Sequence, residues 1–215
     1  MKVLILICTL CILITSASAF TYTKLPVGHV FTPELIEQEK VSGWAKAEVA
    51  LAENAGLVTE HTRDYMTREI TRFQFAELIV NLVEKSTGTR IQAAPDTTFT
   101  DCKESVVLKA KAAGIVNGKT KTTFEPDAKL TREELATMLL RAIEYINHRT
   151  NNPLPNDNTP LVGYTDVKEI SDFAQESMTV LVNAAMIKGT DATTLSPKET
   201  CTVEQSVVLI YRAYR

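Results

Sequence analysis

One five-residue motif occurs three times, as Ile70-Thr71-Arg72-Phe73-Gln74, Leu130-Thr131-Arg132-Glu133-Glu134 and Cys201-Thr202-Val203-Glu204-Gln205. Each copy begins an apolar run. In all three, Glu or Gln follows a Thr by three positions. This is the capping-box pattern, in which the two side chains bind the first free amides of a helix. Self-similarity on this scale indicates a small repeated unit. The sequence therefore predicts three tandem repeats whose second helices are capped by Thr71, Thr131 and Thr202.

Each repeat is predicted to be a helix, a loop and a second helix. Gly56, Gly114 and Ala185 occupy matching places, and the interval from Gly114 to Thr131 equals that from Ala185 to Thr202. Glycine is common just after the end of a helix, so these residues mark the end of helix one. Apolar residues before and after them follow the helical period. Helix one is predicted at 43–55, 103–113 and 171–185, and helix two at 71–85, 131–148 and 202–214.

The first 19 residues have the pattern of a secretory signal peptide, with an apolar stretch from Val3 to Ile14 and small residues up to Ala19. The alternative is a membrane anchor, but the apolar stretch is shorter than the roughly 20 residues that span a bilayer. A further helix is predicted to begin at Thr32-Pro33-Glu34. We expect an exported protein with no membrane insertion after signal cleavage.

The domain organisation follows from the repeats and from linkers rich in Pro, Asn, Asp and Gly. A unit of roughly 50 residues buries too little surface to be stable alone, so the apolar faces should pack into one all-α body. The predicted segments are a signal peptide at 1–19, an N-terminal helix with the first repeat at 20–88, the second repeat at 99–149, the third repeat at 164–215, and linkers at 89–98 and 150–163.

Composition excludes several functions. The net charge of −3 argues against nucleic-acid binding, which requires a basic surface. The three histidines are far apart in the sequence, and no metal-binding, nucleophile or phosphate-loop motif occurs. We therefore predict no enzyme activity and no cofactor. Cys102 and Cys201 occupy apolar positions of the repeat, which favours two buried thiols, although one disulfide between them stays open.

These motifs, in this order and spacing, resemble the S-layer homology (SLH) domain. The second repeat carries the resemblance most fully, with Phe99-Thr100-Asp101, Gly114-Ile115-Val116-Asn117-Gly118, Phe124-Glu125-Pro126 and Thr131-Arg132-Glu133-Glu134. The resemblance implies a pseudo-threefold, trefoil-like helical bundle of three SLH repeats with grooves between them. It also implies non-covalent anchoring at the bacterial cell wall or cell surface. The implied partner is an anionic wall polysaccharide, often one that carries pyruvate ketals on an amino sugar.

The candidate ligand-binding residues start with Arg72 and Arg132. A cation in the first turn opposes the helix dipole, so these arginines need another explanation. One is a ligand anion held between the guanidinium and the helix start; the other is an internal ion pair with Glu104 or Asp101. The resemblance implies ligand contact. Val203 replaces the arginine in the third repeat, so that groove is predicted to be weak or silent.

Further candidates surround these arginines. Trp44 is either a core residue or a groove-edge platform on which a sugar stacks. Asp101 and Asp166 are caps or turn residues, with hydrogen bonding to sugar hydroxyls as the alternative. Gln74, Glu134 and Lys119 complete the predicted ligand-binding set.

The function that this sequence predicts is that of a non-catalytic wall-anchoring module, made almost wholly of one SLH bundle with no cargo domain after residue 215. Three alternatives stay open: a module that binds other surface proteins, a structural component of a surface layer, and a degenerate glycan-processing protein.

Overall fold

A computed structural model describes residues 41–151 and 157–215, and these residues form helices with no strand or sheet among them. The all-α prediction is therefore confirmed. The predicted signal peptide and the helix at Thr32 lie outside the described residues. The helices are α1 (Lys46–Asn54), α2 (Arg72–Thr87), α3 (Ser105–Ala112), α4 (Arg132–Thr150), α5 (Gln175–Asn183) and α6 (Val203–Tyr214), with short 3-10 turns at Glu60–Thr62, Val167–Glu169 and Asp172–Ala174.

The capping boxes are present in all three repeats. In the first, the Gln74 amide donates to Thr71 Oγ1 at 3.2 Å, and the Thr71 amide donates to Gln74 Oε1 at 3.0 Å. The same two bonds start α4 at Thr131 and α6 at Thr202. The predicted starts of the second helices are thus confirmed.

The first helices are shorter than predicted at their N-terminal ends. In the third repeat the difference is a 3-10 turn, Asp172–Ala174, which precedes α5. The helices end one or two residues before the predicted ends, and Gly56, Gly114 and Ala185 follow them with φ values of 65°, 73° and 55°. This left-handed backbone terminates a helix.

Helix packing joins neighbouring repeats. The first helix of each repeat packs on the second helix of another repeat: α3 on α2, α5 on α4, and α1 on α6. The helices of one repeat are not comparably packed on each other in the described part of the chain. Because each repeat completes its neighbour's core, the geometry supports the prediction that no repeat is stable alone.

A ring of three backbone hydrogen bonds lies at the centre of the molecule. The Ile70 amide donates to the Cys201 carbonyl at 2.8 Å, Cys201 to Leu130 at 3.1 Å, and Leu130 to Ile70 at 3.4 Å. These residues directly precede the three Thr caps and are at most 1% exposed. The ring supports the prediction of a pseudo-threefold arrangement.

Both described cysteines are buried and free. The structure thus shows two buried thiols and no disulfide between them. Burial raises the pKa of Cys201 to about 11, against a smaller opposing effect of Arg132. Because the thiolate is the reactive form, this thiol is inert at neutral pH.

Candidate functional site: two grooves between the repeats

Arg72 and Arg132 reach from the start of one repeat's second helix into the loop of the next repeat. Arg72 Nε donates to the Phe124 carbonyl at 2.9 Å, and Nη2 donates to the Asn117 carbonyl at 3.2 Å. Arg132 repeats this arrangement, with Nε on Leu195 at 2.7 Å and Nη2 on Lys188 at 2.8 Å. Each arginine is at least nine-tenths buried. The two side chains therefore bind adjacent repeats together.

The helix starts beneath these arginines have no spare amides in their first turn. The Arg72 and Phe73 amides donate to the carbonyls of Ala128 and Pro126, at 2.9 and 3.0 Å. The amides at the starts of α4 and α6 donate in the same way to loop carbonyls of the next repeat. The third amide of each helix is held by its Thr cap.

Two expectations about the arginines are therefore wrong. The first turn does not present free amides to an anion, because loop carbonyls and the caps hold them. The predicted alternative, an ion pair with Glu104 or Asp101, is not formed either, since the partners of Arg72 are carbonyl oxygens. These carbonyls account for a cation at the helix start. Contact with a ligand stays a prediction.

The loop that accepts each arginine is held by an aspartate. Asp101 accepts hydrogen bonds from the amides of Phe124 and Glu125, each with a contact at 2.8 Å. Asp166 accepts equivalent bonds from Leu195 and Ser196. Burial raises the pKa of Asp101, but the two amides and Arg72 outweigh it and the pKa is lowered. These aspartates are turn residues, as one alternative predicted, rather than helix caps.

A glycine closes each loop. A Cβ on Gly118 would lie 2.2 Å from the Thr120 carbonyl oxygen, and one on Gly189 would lie 2.4 Å from that of Asp191. Any side chain would push the loop open and move the adjacent carbonyl that receives the arginine. The glycines therefore keep the loops close enough for the arginines to bind.

Two grooves follow from this arrangement, each built from all three repeats. Their volumes are about 230 and 380 Å³. The first groove is defined by Arg72, Gly118, Lys119, Glu134, Arg141 and Phe173. The second groove is defined by Arg132, Gly189, Thr190, Gln205, Arg212 and Trp44.

An aromatic ring stands at one edge of each groove. Phe173, on the turn before α5, is 57% exposed and lies in the first groove. Trp44, just before α1, is 56% exposed and lies in the second. The core interpretation of Trp44 is thus wrong, and its place is the one that the groove-edge interpretation gave. Trp44 shares its groove with Arg132 rather than with the arginine of its own repeat.

The third equivalent position differs in its chemistry. Val203 stands where the grooves have arginine, and buried Cys102 stands where they have an exposed aromatic ring. Glu77 follows Gln74 by three positions, as the groove residue Thr137 follows Glu134, and it accepts hydrogen bonds from Thr59 Oγ1 at 2.5 Å and from His61 at 3.0 Å. Val203 thus supplies no guanidinium at this position, and Glu77 adds a carboxylate.

Five predicted residues line the grooves: Arg72, Arg132, Trp44, Glu134 and Lys119. The structure does not bring Gln74, Asp101 or Asp166 among the residues that define them. Gln74 Nε2 donates to the His61 carbonyl at 2.7 Å, next to the Val203 position. The two aspartates accept hydrogen bonds from backbone amides of the loops.

Arg141 and Arg212 are groove residues that the sequence analysis missed. They follow Glu134 and Gln205 by two helical turns, so they lie on the same helix face as the capping residues. That spacing was the available signal. Arg212 donates from Nε and Nη2 to both carboxylate oxygens of Glu48 at 2.8 Å, which joins the third repeat to the first. Arg141 makes no ion pair with another described residue.

Comparison with known proteins agrees with this architecture. The S-layer homology domain model matches residues 97–136 and 163–203. The matched segments cover most of the second and third repeats and contain the loops that accept Arg72 and Arg132. S-layer homology domains are anchoring modules, so the match supports a cell-wall anchoring function and a location at the cell surface or wall.

Similar sequences occur in much larger proteins. The chain is 28% identical over 203 residues to an endoglucanase from Bacillus sp. (strain KSM-635), covering 91% of this chain and 19% of that protein. It is 26% identical over 207 residues to the surface-layer 125 kDa protein of Lysinibacillus sphaericus, covering 92% and 16%. It is 24% identical over 170 residues to exoglucanase XynX of Acetivibrio thermocellus, covering 78% and 15%. Each match is thus confined to less than a fifth of the relative.

Within the described residues, no helix has the length and apolar character needed to span a bilayer. No group of three or more His, Cys, Asp or Glu side chains in that part is arranged to hold a metal ion.

Proposed function

We propose that this protein is a non-catalytic module that anchors to the bacterial cell wall. It does so by binding an anionic secondary wall polysaccharide, whose acidic groups are pyruvate ketals, in the first and second grooves. The observation that carries the proposal is the pair of equivalent arginines at the groove floors. Each uses Nε and Nη2 to hold a loop, and Nη1 makes no hydrogen bond to a described oxygen. Arg72 lines the first groove and Arg132 lines the second.

An acidic sugar fits this surface for two reasons. A carboxylate accepts hydrogen bonds well from a fixed guanidinium, and these charge-assisted bonds are stronger than neutral ones. The arginine needs no reorganisation, since its other nitrogens are already held by the loop, and preorganisation lowers the cost of binding. The exposed rings of Trp44 and Phe173 supply flat apolar surfaces against which a sugar face can pack.

The third position supports the same assignment by contrast. Val203 gives no donor, and Glu77 would repel an anionic ligand. We infer that two of the three equivalent positions bind the polymer, in line with the sequence prediction for Val203.

Co-sedimentation with purified wall polysaccharide tests the proposal. The native polymer should retain the protein, and polymer stripped of its acidic substituents should not. Arg72→Val with Arg132→Val should abolish retention, because valine occupies the equivalent position in the third repeat. Circular dichroism shows whether this variant is folded, which matters because each arginine also satisfies two carbonyls.

A matched control removes two arginines elsewhere. Arg63→Ala with Arg90→Ala changes the net charge equally, but both residues are exposed and neither defines a groove. Retention of this control together with loss of the groove variant supports the proposal. Equal retention on native and stripped polymer would contradict it, and no retention on either would favour the alternative module that binds other surface proteins.

A further inference from the structure

The two grooves differ at the residue that closes the capping box, which is Glu134 in the first groove and Gln205 in the second. We propose that this residue determines which of the two grooves has the higher affinity for the acidic group of the polysaccharide. Glu134 competes with an anionic ligand for Arg72 and occupies Lys119, whereas Gln205 leaves Arg132 available, so the second groove binds the acidic group more tightly. This inference rests on the proposed function, since it requires an anionic sugar to enter both grooves.

In the first groove, the carboxylate of Glu134 has two roles. Oε2 accepts a hydrogen bond from the Thr131 amide at 3.1 Å, which completes the cap, and Oε1 forms an ion pair with Lys119 Nζ. Burial lowers the pKa of Arg72, while Glu134 is the strongest charge that raises it. Glu134 is thus close enough to Arg72 to act as an internal anion.

In the second groove, the same cap is made without a charge. Gln205 Oε1 accepts from the Thr202 amide at 3.0 Å, and the Gln205 backbone amide donates to Thr202 Oγ1 at 3.3 Å. Thr190 stands where the first groove has Lys119. The residues that define the second groove include no carboxylate, and Glu48, which binds Arg212, is not among them.

The ranking depends on the acid, because each groove is lined by three cations but only the first is lined by a carboxylate. These residues are Arg72, Lys119 and Arg141 with Glu134 in the first groove, and Arg132, Lys188 and Arg212 in the second. Volume points the same way. The second groove, at about 380 Å³, lies within the usual range of small-molecule sites, and the first, at about 230 Å³, lies below it.

Glu134→Gln is the direct test, because it removes the charge and keeps the cap, as Gln74 and Gln205 show. The probe is a synthetic amino-sugar glycoside that carries a pyruvate ketal, with its ketal-free parent as the reference. Trp44 is the only tryptophan of the chain, so its fluorescence reports the second groove. Phe173→Trp in a Trp44→Phe background is the reporter variant for the first groove.

Glu134→Gln should tighten first-groove binding of the probe by about 3- to 10-fold, the effect of one like charge at close range in a solvent-accessible site. The effect should shrink as salt is added. The reciprocal change, Gln205→Glu, should weaken binding reported by Trp44 by a similar factor. In the unsubstituted chain, the Trp44 signal should saturate at a lower probe concentration than the fluorescence of the first-groove reporter variant does.

The outcomes separate this inference from the proposed function. If the probe binds the second groove, but Glu134→Gln leaves binding in the first groove unchanged or weaker, the predicted difference in affinity is wrong and the proposed function stands. Weaker binding would mean that Glu134 contacts the sugar. If neither the probe nor its ketal-free parent changes the tryptophan fluorescence of either groove, both the ranking and the proposed function are wrong.

Discussion

At the scale of single residues, backbone geometry explains one departure from the repeat pattern. Ala185 takes the place of Gly56 and Gly114 and has the same left-handed backbone, with φ of 55°. A side chain in this conformation costs roughly 1–2 kcal/mol, because Cβ approaches the following carbonyl. The third repeat therefore carries strain at the end of α5.

Ala185→Gly should stabilise the protein. We expect a gain of about 1 kcal/mol in the free energy of unfolding, reduced by the greater freedom of glycine in the unfolded chain. Thermal denaturation should show a midpoint raised by about 2–4 °C for a chain of this length.

Gly114→Ala is the matched control and should lower the midpoint. A Cβ at Gly114 would meet no heavy atom within 4 Å, so the loss would reflect backbone conformation alone. A midpoint unchanged or lowered by Ala185→Gly would show that the left-handed conformation is not strained in the folded protein.

At the scale of elements, each loop carries the carbonyls that the arginines need, and an aspartate fixes the loop. Asp101 binds two successive amides of its loop, next to the Phe124 carbonyl that receives Arg72 Nε. The lowered pKa of Asp101 means that its carboxylate form stabilises the folded state. A group with a depressed folded pKa contributes stability above its unfolded pKa of about 3.9, and that contribution is lost as pH falls through the folded value.

Asp101→Asn should therefore be less stable than the unsubstituted protein at pH 7. The gap should begin to close below about pH 4 and should vanish below the lowered folded pKa of Asp101, where its carboxylate is protonated in the folded protein. Urea titrations from about pH 2 to about pH 7 measure the free energy of unfolding of both proteins above and below the pKa of Asp101. Asp127→Asn is the control, because the Asp127 side chain is exposed and makes no hydrogen bond with the described residues. A gap for Asp101→Asn that is independent of pH would contradict this role.

The sequence could predict these elements because their signals are local. Thr followed by Gln or Glu specifies the helix starts, and the matched Gly56, Gly114 and Ala185 specify the helix ends. The partners of Arg72 could not be predicted, since carbonyl oxygens are common to all residues and leave no sequence signal. The same limit applies to Trp44, whose position at an apolar helical offset could not show which repeat would face it.

At the scale of the whole molecule, the repeats depend on one another. The first helix of each repeat packs on the second helix of another, and the central hydrogen-bond ring uses all three repeats. The contact between α1 and α6, with the Glu48–Arg212 ion pair, joins the first repeat to the third. Loss of one repeat would expose the core of both others.

Unfolding should accordingly be one cooperative transition. Trp44 fluorescence, which reports the contact between the first and third repeats, should change at the same denaturant concentration as the far-ultraviolet circular dichroism of all helices. Glu48→Ala should shift both curves together toward lower denaturant. Separate midpoints, or a shift in fluorescence alone, would show that the repeats unfold independently.

The central claim is that two arginine-floored grooves bind the acidic group of a wall polysaccharide. Calorimetric titration with the pyruvate-ketal glycoside tests it most directly, because it counts sites and compares the acid with its ketal-free parent. The account predicts two sites per chain for the acidic glycoside and no measurable heat for the parent. Equal binding of the two glycosides, or three equal sites including the Val203 position, would contradict it.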